Sequence, residues 1–165
     1  MAAPRRPATL RKRTADYHRG TFLITSCTWG RLPVFGRIRS GMLVPTRAGQ
    51  HAIECWSRIP HHFPMVTIHA VAVMPDHVHG ILTMGTELGA THASPLQYDT
   101  PCHTPHLGTV IGSYKAAVAR LVNVDRGTPG ESVWQRGYHD RILRTPIEVE
   151  IARRYLASNP ARWGG

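Results

Sequence analysis

The chain has 165 residues, a length typical of one domain with a sizeable core. Hydrophobic residues make up 42% and charged residues 18%, which excludes a wholly disordered or fibrous chain. The nearly apolar run at 65–74 is interrupted by His69 and is far shorter than the ~20 residues of a membrane-spanning helix, so we expect no membrane partner. The formal net charge of +10 favours an acidic partner, nucleic acid above all.

The N-terminus predicts a flexible basic arm over residues 1–16, ahead of a single domain over residues 17–165. The arm carries Arg11, Lys12 and Arg13, which we expect to contact a phosphate backbone. It lacks the apolar stretch of a secretory signal peptide. The three cysteines are widely spaced and include no CxxC pair, which argues against a zinc ribbon or a disulfide framework and favours a reducing cytoplasm.

The first half of the domain begins with a predicted strand over residues 21–28, where β-branched and aromatic residues dominate. Residues 31–46 are broken by prolines and glycines and predict a loop, with at most a short turn of helix. Thr46 can cap a helix that extends to about Arg58. Its buried side is predicted to consist of Ala48, Ala52, Ile53 and Trp56.

A hairpin and a second helix follow. The apolar segments 65–73 and 77–84 flank a Pro-Asp turn signal and predict two strands. Residues 85–107 show no periodicity and predict a long mobile loop. Apolar residues at every third or fourth position then predict a helix over residues 108–123.

The C-terminal part contains two short strand segments, 132–135 and 138–143, and a last helix that extends to about Ser158. Residues 145–148 (Thr-Pro-Ile-Glu) form a capping box with proline at the first helical position. The order of strands and helices resembles the split βαββαβ arrangement. The sequence therefore predicts an α+β fold, with a ferredoxin-like antiparallel sheet and covering helices.

Two histidines open the strand that follows the Pro-Asp turn. Side chains alternate across a strand, so His77 and His79 lie on one face. Val78, Leu82 and Met84 then form the opposite, buried face. Two imidazoles on one face can hold a single metal ion, although two exposed strand histidines without a metal would have the same spacing.

One tyrosine of the last helix is a second candidate. Asn159 follows Tyr155 by one helical turn and lies on the same face. Ile147 and Ile151 extend that stripe, a pattern typical of a core position. A neighbouring apolar stripe can instead supply the packing and leave Tyr155 at the rim; it consists of Val149, Ala152 and Leu156.

Four segments occur in an order that points to one family. They are MPDHVHGIL at 74–82, GTVIGSYK at 108–115, VWQRGYHDRILR at 133–144 and RYLASNPARW at 154–163. Together they resemble the HUH metal motif and the other characteristic segments of the IS200/IS605-type single-tyrosine (Y1) transposases. The resemblance is closest to the REP-associated tyrosine transposases.

This resemblance implies an HUH endonuclease-like fold and metal-dependent nicking and strand transfer of single-stranded or hairpin DNA, through a 5′-phosphotyrosine intermediate. Tyr155 matches the catalytic tyrosine. His77, His79 and Asn159 match the ligands of a divalent metal, Mg²⁺ or Mn²⁺. Relatives often have asparagine where this chain has Asp76, a change that we expect to tune the turn and the local charge without abolishing metal binding.

The expected DNA contacts are basic side chains that follow the backbone of the strand. Besides the arm, they are Lys115, Arg136, Arg141 and Arg153. We expect Trp134 to be a core residue rather than a stacking platform for a base.

Two alternatives remain open at this stage: a hairpin-binding module that no longer cuts DNA, and a zinc hydrolase that uses the two histidines. The sequence does not decide between a monomer and a homodimer. A DNA partner predicts a bacterial cytoplasmic protein that associates with the nucleoid.

Overall fold

Antiparallel strands form the centre of the structure, a computed structural model that describes residues 17–85 and 105–163. The strands are β1 (Gly20–Cys27), β2 (Gly36–Arg39), β3 (Met42–Pro45), β4 (Val66–Met74), β5 (His77–Met84) and β6 (His139–Leu143). The helices are α1 (Arg47–Ser57), α2 (Ile59–His62), α3 (Leu107–Arg126) and α4 (Pro146–Ser158). The main sheet has the order β4-β5-β1-β6 and every neighbouring pair is antiparallel. The predicted α+β, ferredoxin-like class is therefore confirmed.

Strands β2 and β3 form a separate hairpin, so the prediction of a loop over residues 31–46 was wrong for this part of the segment. Ser40 and Gly41 connect the two strands, and both have a positive φ, of 48° and 73°. Such a backbone fits a tight two-residue turn between twisted antiparallel strands. Four-residue strands carry too little periodicity to be recognised among so many prolines and glycines.

Helices α1 and α3 cover one face of the main sheet, which we call the α1–α3 face. Phe22 and Ile24 of β1 are fully buried there, in one large cluster with Val78 and Leu82 of β5. Helix α1 begins after Thr46, whose hydroxyl accepts a hydrogen bond from the Gly49 amide, as the sequence predicts. The buried residues of α1 are Ala48, Gly49, Ala52 and Trp56. The prediction for Ile53 was wrong, since it is 40% exposed.

Helix α4 covers part of the opposite face, which we call the α4 face. Ala152 and Leu156 are buried there against Ile81 and Leu143 in a small cluster. The parallel stripe of Ile147, Ile151 and Tyr155 is exposed, by 71%, 62% and 42% respectively. The packing is thus supplied by the neighbouring stripe, and the tyrosine stays at the rim.

The remaining boundaries differ only locally from the predictions. Helix α3 is longer than predicted at both ends, and the segment 132–135 contributes a single β-bridge, from Trp134 to Thr28, instead of a strand. The basic arm and most of the predicted loop, residues 86–104, lie outside the described residues. Within the described part of the chain, no helix is long and apolar enough to cross a membrane.

Candidate functional site

The two histidines of β5 lie on the α4 face with their rings turned towards each other. Val78, between them, is buried on the α1–α3 face, as strand alternation requires. The Nε2 atoms of His77 and His79 are 3.0 Å apart, and the ring planes are inclined by 80°. Both residues are buried, and their Nε2 atoms face each other.

Each ring is held from behind through its Nδ1 atom. Nδ1 of His77 lies 2.6 Å from Oδ1 of Asp76, and the other carboxylate oxygen, Oδ2, lies 2.8 Å from Nε of Arg31. Nδ1 of His79 lies 2.8 Å from the hydroxyl of Thr25, its neighbour on β1. These partners orient both imidazoles before any ligand arrives.

The electrostatic surroundings keep both imidazoles neutral. Burial, with smaller contributions from the adjacent His77 and Arg31, lowers the pKa of His79 to about 4. Burial also lowers the pKa of His77, against the opposing effect of its hydrogen bond to Asp76. A neutral imidazole is the form that binds a metal ion, so the pair is in its ligating form at neutral pH.

Tyr155 is beside this pair because α4 crosses the face at that point. Its ring centroid is 5.8 Å from that of His79, and the ring is partly open to solvent. The helix begins at a capping box in which the Thr145 hydroxyl accepts from the Glu148 amide. The cap fixes where α4 begins, and the packing of Ala152 and Leu156 against Ile81 and Leu143 sets the rotation that leaves Tyr155 facing the histidines.

Asn159 lies at the C-terminal end of α4, between two residues that contact the histidines. Tyr155 precedes it and packs against His79, whereas Trp163 follows it, with its ring centroid 5.6 Å from that of His77. The side-chain nitrogen of Asn159 is buried and has no hydrogen-bond partner among residues 17–85 and 105–163. Rotating the amide by half a turn would place its oxygen, a metal-ligating atom, at the same position.

These residues fit a small divalent cation. Two ligand atoms at adjacent corners of an octahedron of about 2.1 Å radius stand about 3.0 Å apart, which is the distance between the two Nε2 atoms. In the described segments, no group of three or more His, Cys, Asp and Glu residues is placed to hold a metal. A third protein ligand at His77 and His79 would therefore be of another type, such as the Asn159 amide, and the zinc-hydrolase alternative is not favoured.

A cavity of about 410 Å³ opens next to Tyr155 and His79. Leu23, Leu143, Ile151 and Ala152 give it an apolar floor, and Thr25, Arg141 and Glu148 add polar groups. A second cavity of about 430 Å³ lies on the other side of α4. Here His69 joins the helix to the sheet, since its Nδ1 is 3.0 Å from Nη2 of Arg153 and its Nε2 is 2.7 Å from the Thr83 hydroxyl.

The basic residues predicted to contact DNA have different surroundings. Arg141 lines the cavity beside Tyr155, Arg153 lies across α4 from it, and Arg136 is exposed in the loop before β6. The ammonium of Lys115 is half-buried, and it donates to the carbonyls of Gln135 and Gly137 at 2.7 and 2.5 Å. Arg11, Lys12 and Arg13 lie outside the described residues.

Two residues at the site, Thr25 and Arg31, went unnoticed in the sequence, and Trp163 was part of the segment 154–163 without a role of its own. Thr25 stands in an ordinary strand pattern, and Arg31 follows a tryptophan-glycine pair in a segment without periodicity. Only the pairing of β1 with β5 brings Thr25 to His79. Trp134, expected in the core, is buried, and its indole nitrogen donates to the carbonyl of Lys115 at 3.0 Å.

Comparisons with known proteins concern the fold and the sequence. The structure of a REP-associated tyrosine transposase bound to a REP hairpin is similar over 99% of this chain and 75% of that one, with a TM-score of 0.53 and 19% identity. The alignment with a candidate transposase of Deinococcus radiodurans covers 88% of this chain and 95% of that one, with a TM-score of 0.49 and 16% identity. No family model matches the chain.

The fold is thus that of the HUH-type tyrosine transposases, as the resemblance of the four segments implied. An uncharacterized protein of Haemophilus influenzae is 30% identical over 150 residues, which are 87% of this chain and 82% of that protein. The chain belongs to the same family as this Haemophilus influenzae protein.

Proposed function

We propose that the chain is a metal-dependent enzyme that nicks single-stranded DNA and transfers the cut strand, as a Y1 transposase does. The observation that carries this proposal is the convergence of a partly exposed phenol and two facing imidazoles. The ring of Tyr155 is 5.8 Å from that of His79, whose Nε2 is 3.0 Å from that of His77. The similar fold of a transposase bound to a REP hairpin supports hairpin DNA as the substrate.

The proposed reaction conserves the energy of the phosphodiester bond without an energy cofactor. The phenolic oxygen of Tyr155 attacks the scissile phosphorus, and a Tyr–O–P bond forms as the bond between phosphorus and the 3′ oxygen breaks. The phenol loses its proton and the departing 3′ oxygen gains one. The products are a 5′-phosphotyrosine and a free 3′-hydroxyl. When a 3′-hydroxyl attacks this intermediate, a new phosphodiester bond forms as the Tyr–O–P bond breaks, the hydroxyl loses its proton and the phenol regains one.

The tyrosine needs help, because a phenol with an ordinary pKa of ~10 is a weak nucleophile at neutral pH. His77, His79 and Asn159 are the residues that would hold a divalent cation, with Mn²⁺ suiting the imidazoles better than Mg²⁺. When bound, such a cation polarises the phosphate and stabilises the charge that develops on its oxygens.

The cavity beside Tyr155 is large enough for one nucleotide, and we propose that the strand enters there. Arg141 can neutralise a phosphate at its edge, whereas Ile151 and Leu143 offer an apolar surface to a base. Arg136, Arg153, Lys115 and the N-terminal arm with Arg11, Lys12 and Arg13 are further proposed backbone contacts. A DNA substrate would place the protein with the nucleoid in the bacterial cytoplasm.

The experiment is a denaturing gel of protein mixed with a labelled hairpin oligonucleotide and Mn²⁺. We expect a covalent adduct that carries the fragment on the 3′ side of the cut, joined through its 5′ phosphate, and we expect Tyr155→Phe to form none. Tyr138→Phe is the matched control, since Tyr138 packs against the core of the α1–α3 face, and it should form the adduct normally. Hairpin binding without any adduct would support a non-catalytic DNA-binding module instead.

The rings of Tyr155, His79 and His77 lie side by side in one chain, so we propose that Tyr155 acts on the metal site of its own chain. Mixing the inactive Tyr155→Phe and His77→Ala variants tests this point. We expect the mixture to stay inactive, because neither protein contains a complete site. Recovery of the adduct in the mixture would mean that two copies share the tyrosine helix.

A further inference from the structure

A chain of three charged or polar side chains leads from the protein surface to the histidine pair. Nε of Arg31 lies 2.8 Å from Oδ2 of Asp76, and Oδ1 of Asp76 lies 2.6 Å from Nδ1 of His77. The Asp76 side chain is 8% exposed and that of Arg31 is 49% exposed. A buried carboxylate is costly unless its oxygens are paired, and here each oxygen has a partner.

Backbone geometry fixes both partners of the Arg31–Asp76 ion pair. The amide of Thr28 donates to the backbone carbonyl of Asp76 at 2.9 Å, and the Thr28 hydroxyl lies 2.9 Å from the same oxygen and 2.8 Å from the carbonyl oxygen of Leu32. Gly30 and Arg31 adopt positive φ angles of 62° and 59°, which is uncommon for arginine. The strained turn points the guanidinium back along β1, where Nη1 also donates to the sulfur of Cys27 at 2.9 Å.

We propose that Asp76 and Arg31 are positioning residues that set the proton of His77, an inference that rests on the proposed function. A carboxylate only accepts hydrogen bonds, so Nδ1 of His77 carries the proton and Nε2 keeps its lone pair. That lone pair faces Nε2 of His79 and the metal position between them. Arg31 fixes the orientation of the carboxylate and balances its charge.

The two histidines are therefore supported unequally. His77 has an anionic partner, which raises the electron density on its Nε2 atom, whereas His79 has the neutral hydroxyl of Thr25. An asparagine at position 76 could still accept the hydrogen bond. It would, however, leave the positive charge of Arg31 uncompensated beside the proposed cation site. In this chain the charge of Asp76 compensates that of Arg31.

The first arm of the test measures Mn²⁺ affinity by electron paramagnetic resonance, without DNA. We expect Asp76→Ala and Asp76→Asn to weaken binding by about 10- to 100-fold. We expect the double variant Arg31→Gln/Asp76→Asn to regain part of that loss, because the uncompensated positive charge is gone. A purely structural role for Asp76 would not produce this recovery.

The chain supplies a matched control on the other face of the sheet. Asp125 also accepts from one histidine and one arginine, at 2.7 Å from His51 and 2.8 Å from Arg47, where α3 meets α1. Asp125→Asn should bind Mn²⁺ like the wild type. Circular dichroism of every variant confirms that the comparison is made between folded proteins.

The second arm is independent of metal binding and of cleavage. Long-range ¹H–¹⁵N NMR of the metal-free protein reports which nitrogen of His77 carries the proton. We expect Nδ1 in the wild type and a shift towards Nε2 in Asp76→Ala. A proton on Nε2 in the wild type, or measurable Mn²⁺ binding that is equally tight in the wild type and in Asp76→Ala, would overturn the inference. Should the wild type fail to bind Mn²⁺ while its NMR behaves as expected, the proposed metal chemistry fails and the positioning of His77 stands.

Discussion

The two faces of the main sheet are built for different purposes. On the α1–α3 face, Phe22 and Ile24 of β1 are fully buried within one large cluster. On the α4 face, their neighbours Thr21, Leu23 and Thr25 are only partly buried, and the buried cluster is small. The first face holds the domain together, and the second leaves room for two cavities and for polar side chains.

Strand β5, which carries the histidines, packs against a helix on each of its two faces. His79 faces α4, whereas Gly80 faces Trp56 of α1, so closely that a Cβ atom on Gly80 would lie 2.1 Å from the indole ring. The large core therefore fixes β5 from behind, while only a small cluster and α4 cover its other side. The proposed function, in which the site would hold a metal and admit a DNA strand, calls for such a rigid support beneath a lightly packed surface.

We expect the largest change in the free energy of unfolding from truncation of one of two adjacent residues of β5. Leu82 and Ile81 are both fully buried, the first on the α1–α3 face and the second on the α4 face. We expect Leu82→Ala to lower the free energy of unfolding by about 4 kcal/mol and Ile81→Ala by about 2 kcal/mol. Urea titration measures both, and equal losses would contradict the difference between the faces.

Acid should weaken the α4 face selectively. Burial lowers the pKa of His69, His77 and His79 on this face, in the last case to about 4. The unfolded chain, with histidine pKa values of ~6.5, binds more protons than the folded protein between pH ~6.5 and ~4. Stability should be fully present above this window and fall as the pH drops through it, with His79 contributing a loss of the order of 3 kcal/mol at its lower end.

The measurement for this prediction is the urea midpoint at pH 7, 6 and 5 in the presence of a chelator. His79→Gln should flatten the pH dependence, whereas substitution of the exposed His61 by glutamine should leave it as it is. A pH dependence that survives His79→Gln unchanged would refute the assignment. The same low pKa values predict that metal binding persists somewhat below pH 6.5.

A substitution at Gly80 tests how tightly α1 holds β5 on the α1–α3 face. We expect Gly80→Ala to cost about 1–3 kcal/mol, because the added methyl group collides with the Trp56 ring. Gly112→Ala is the control, since a Cβ atom there meets nothing within 4 Å and the change favours helix α3 by about 1 kcal/mol. Thermal unfolding distinguishes the two, and a neutral Gly80→Ala would show that α1 moves freely.

The smallest effect is expected on the exposed stripe of α4. Ile147 is 71% exposed, so Ile147→Ser should change the free energy of unfolding by less than about 0.5 kcal/mol. Leu156→Ala, on the buried stripe of the same helix, should cost about 2 kcal/mol or more. Chemical denaturation of both variants checks the orientation of α4, and a large loss for Ile147→Ser would reverse it.

Local patterns predicted most of the elements and part of the site. The capping box at Thr145 gave the start of α4, and strand alternation put His77 and His79 on one side of β5 and Val78 on the other. These features depend on residues close together in the chain, where backbone geometry alone decides the outcome. The β2–β3 hairpin escaped prediction because its strands are short and its turn uses Ser40 in a conformation rare for that residue.

The sequence by itself determined the sheet, the capped helix and the two histidines on one face, because periodicity and capping act over a few residues. Only the tertiary structure decided which stripe of α4 packs against the sheet, and therefore that Tyr155 borders His79. It also decided that Arg31, 45 positions before Asp76 in the numbering, reaches that carboxylate. Such contacts follow from strand pairing and the burial of apolar surface, which depend on the whole chain at once.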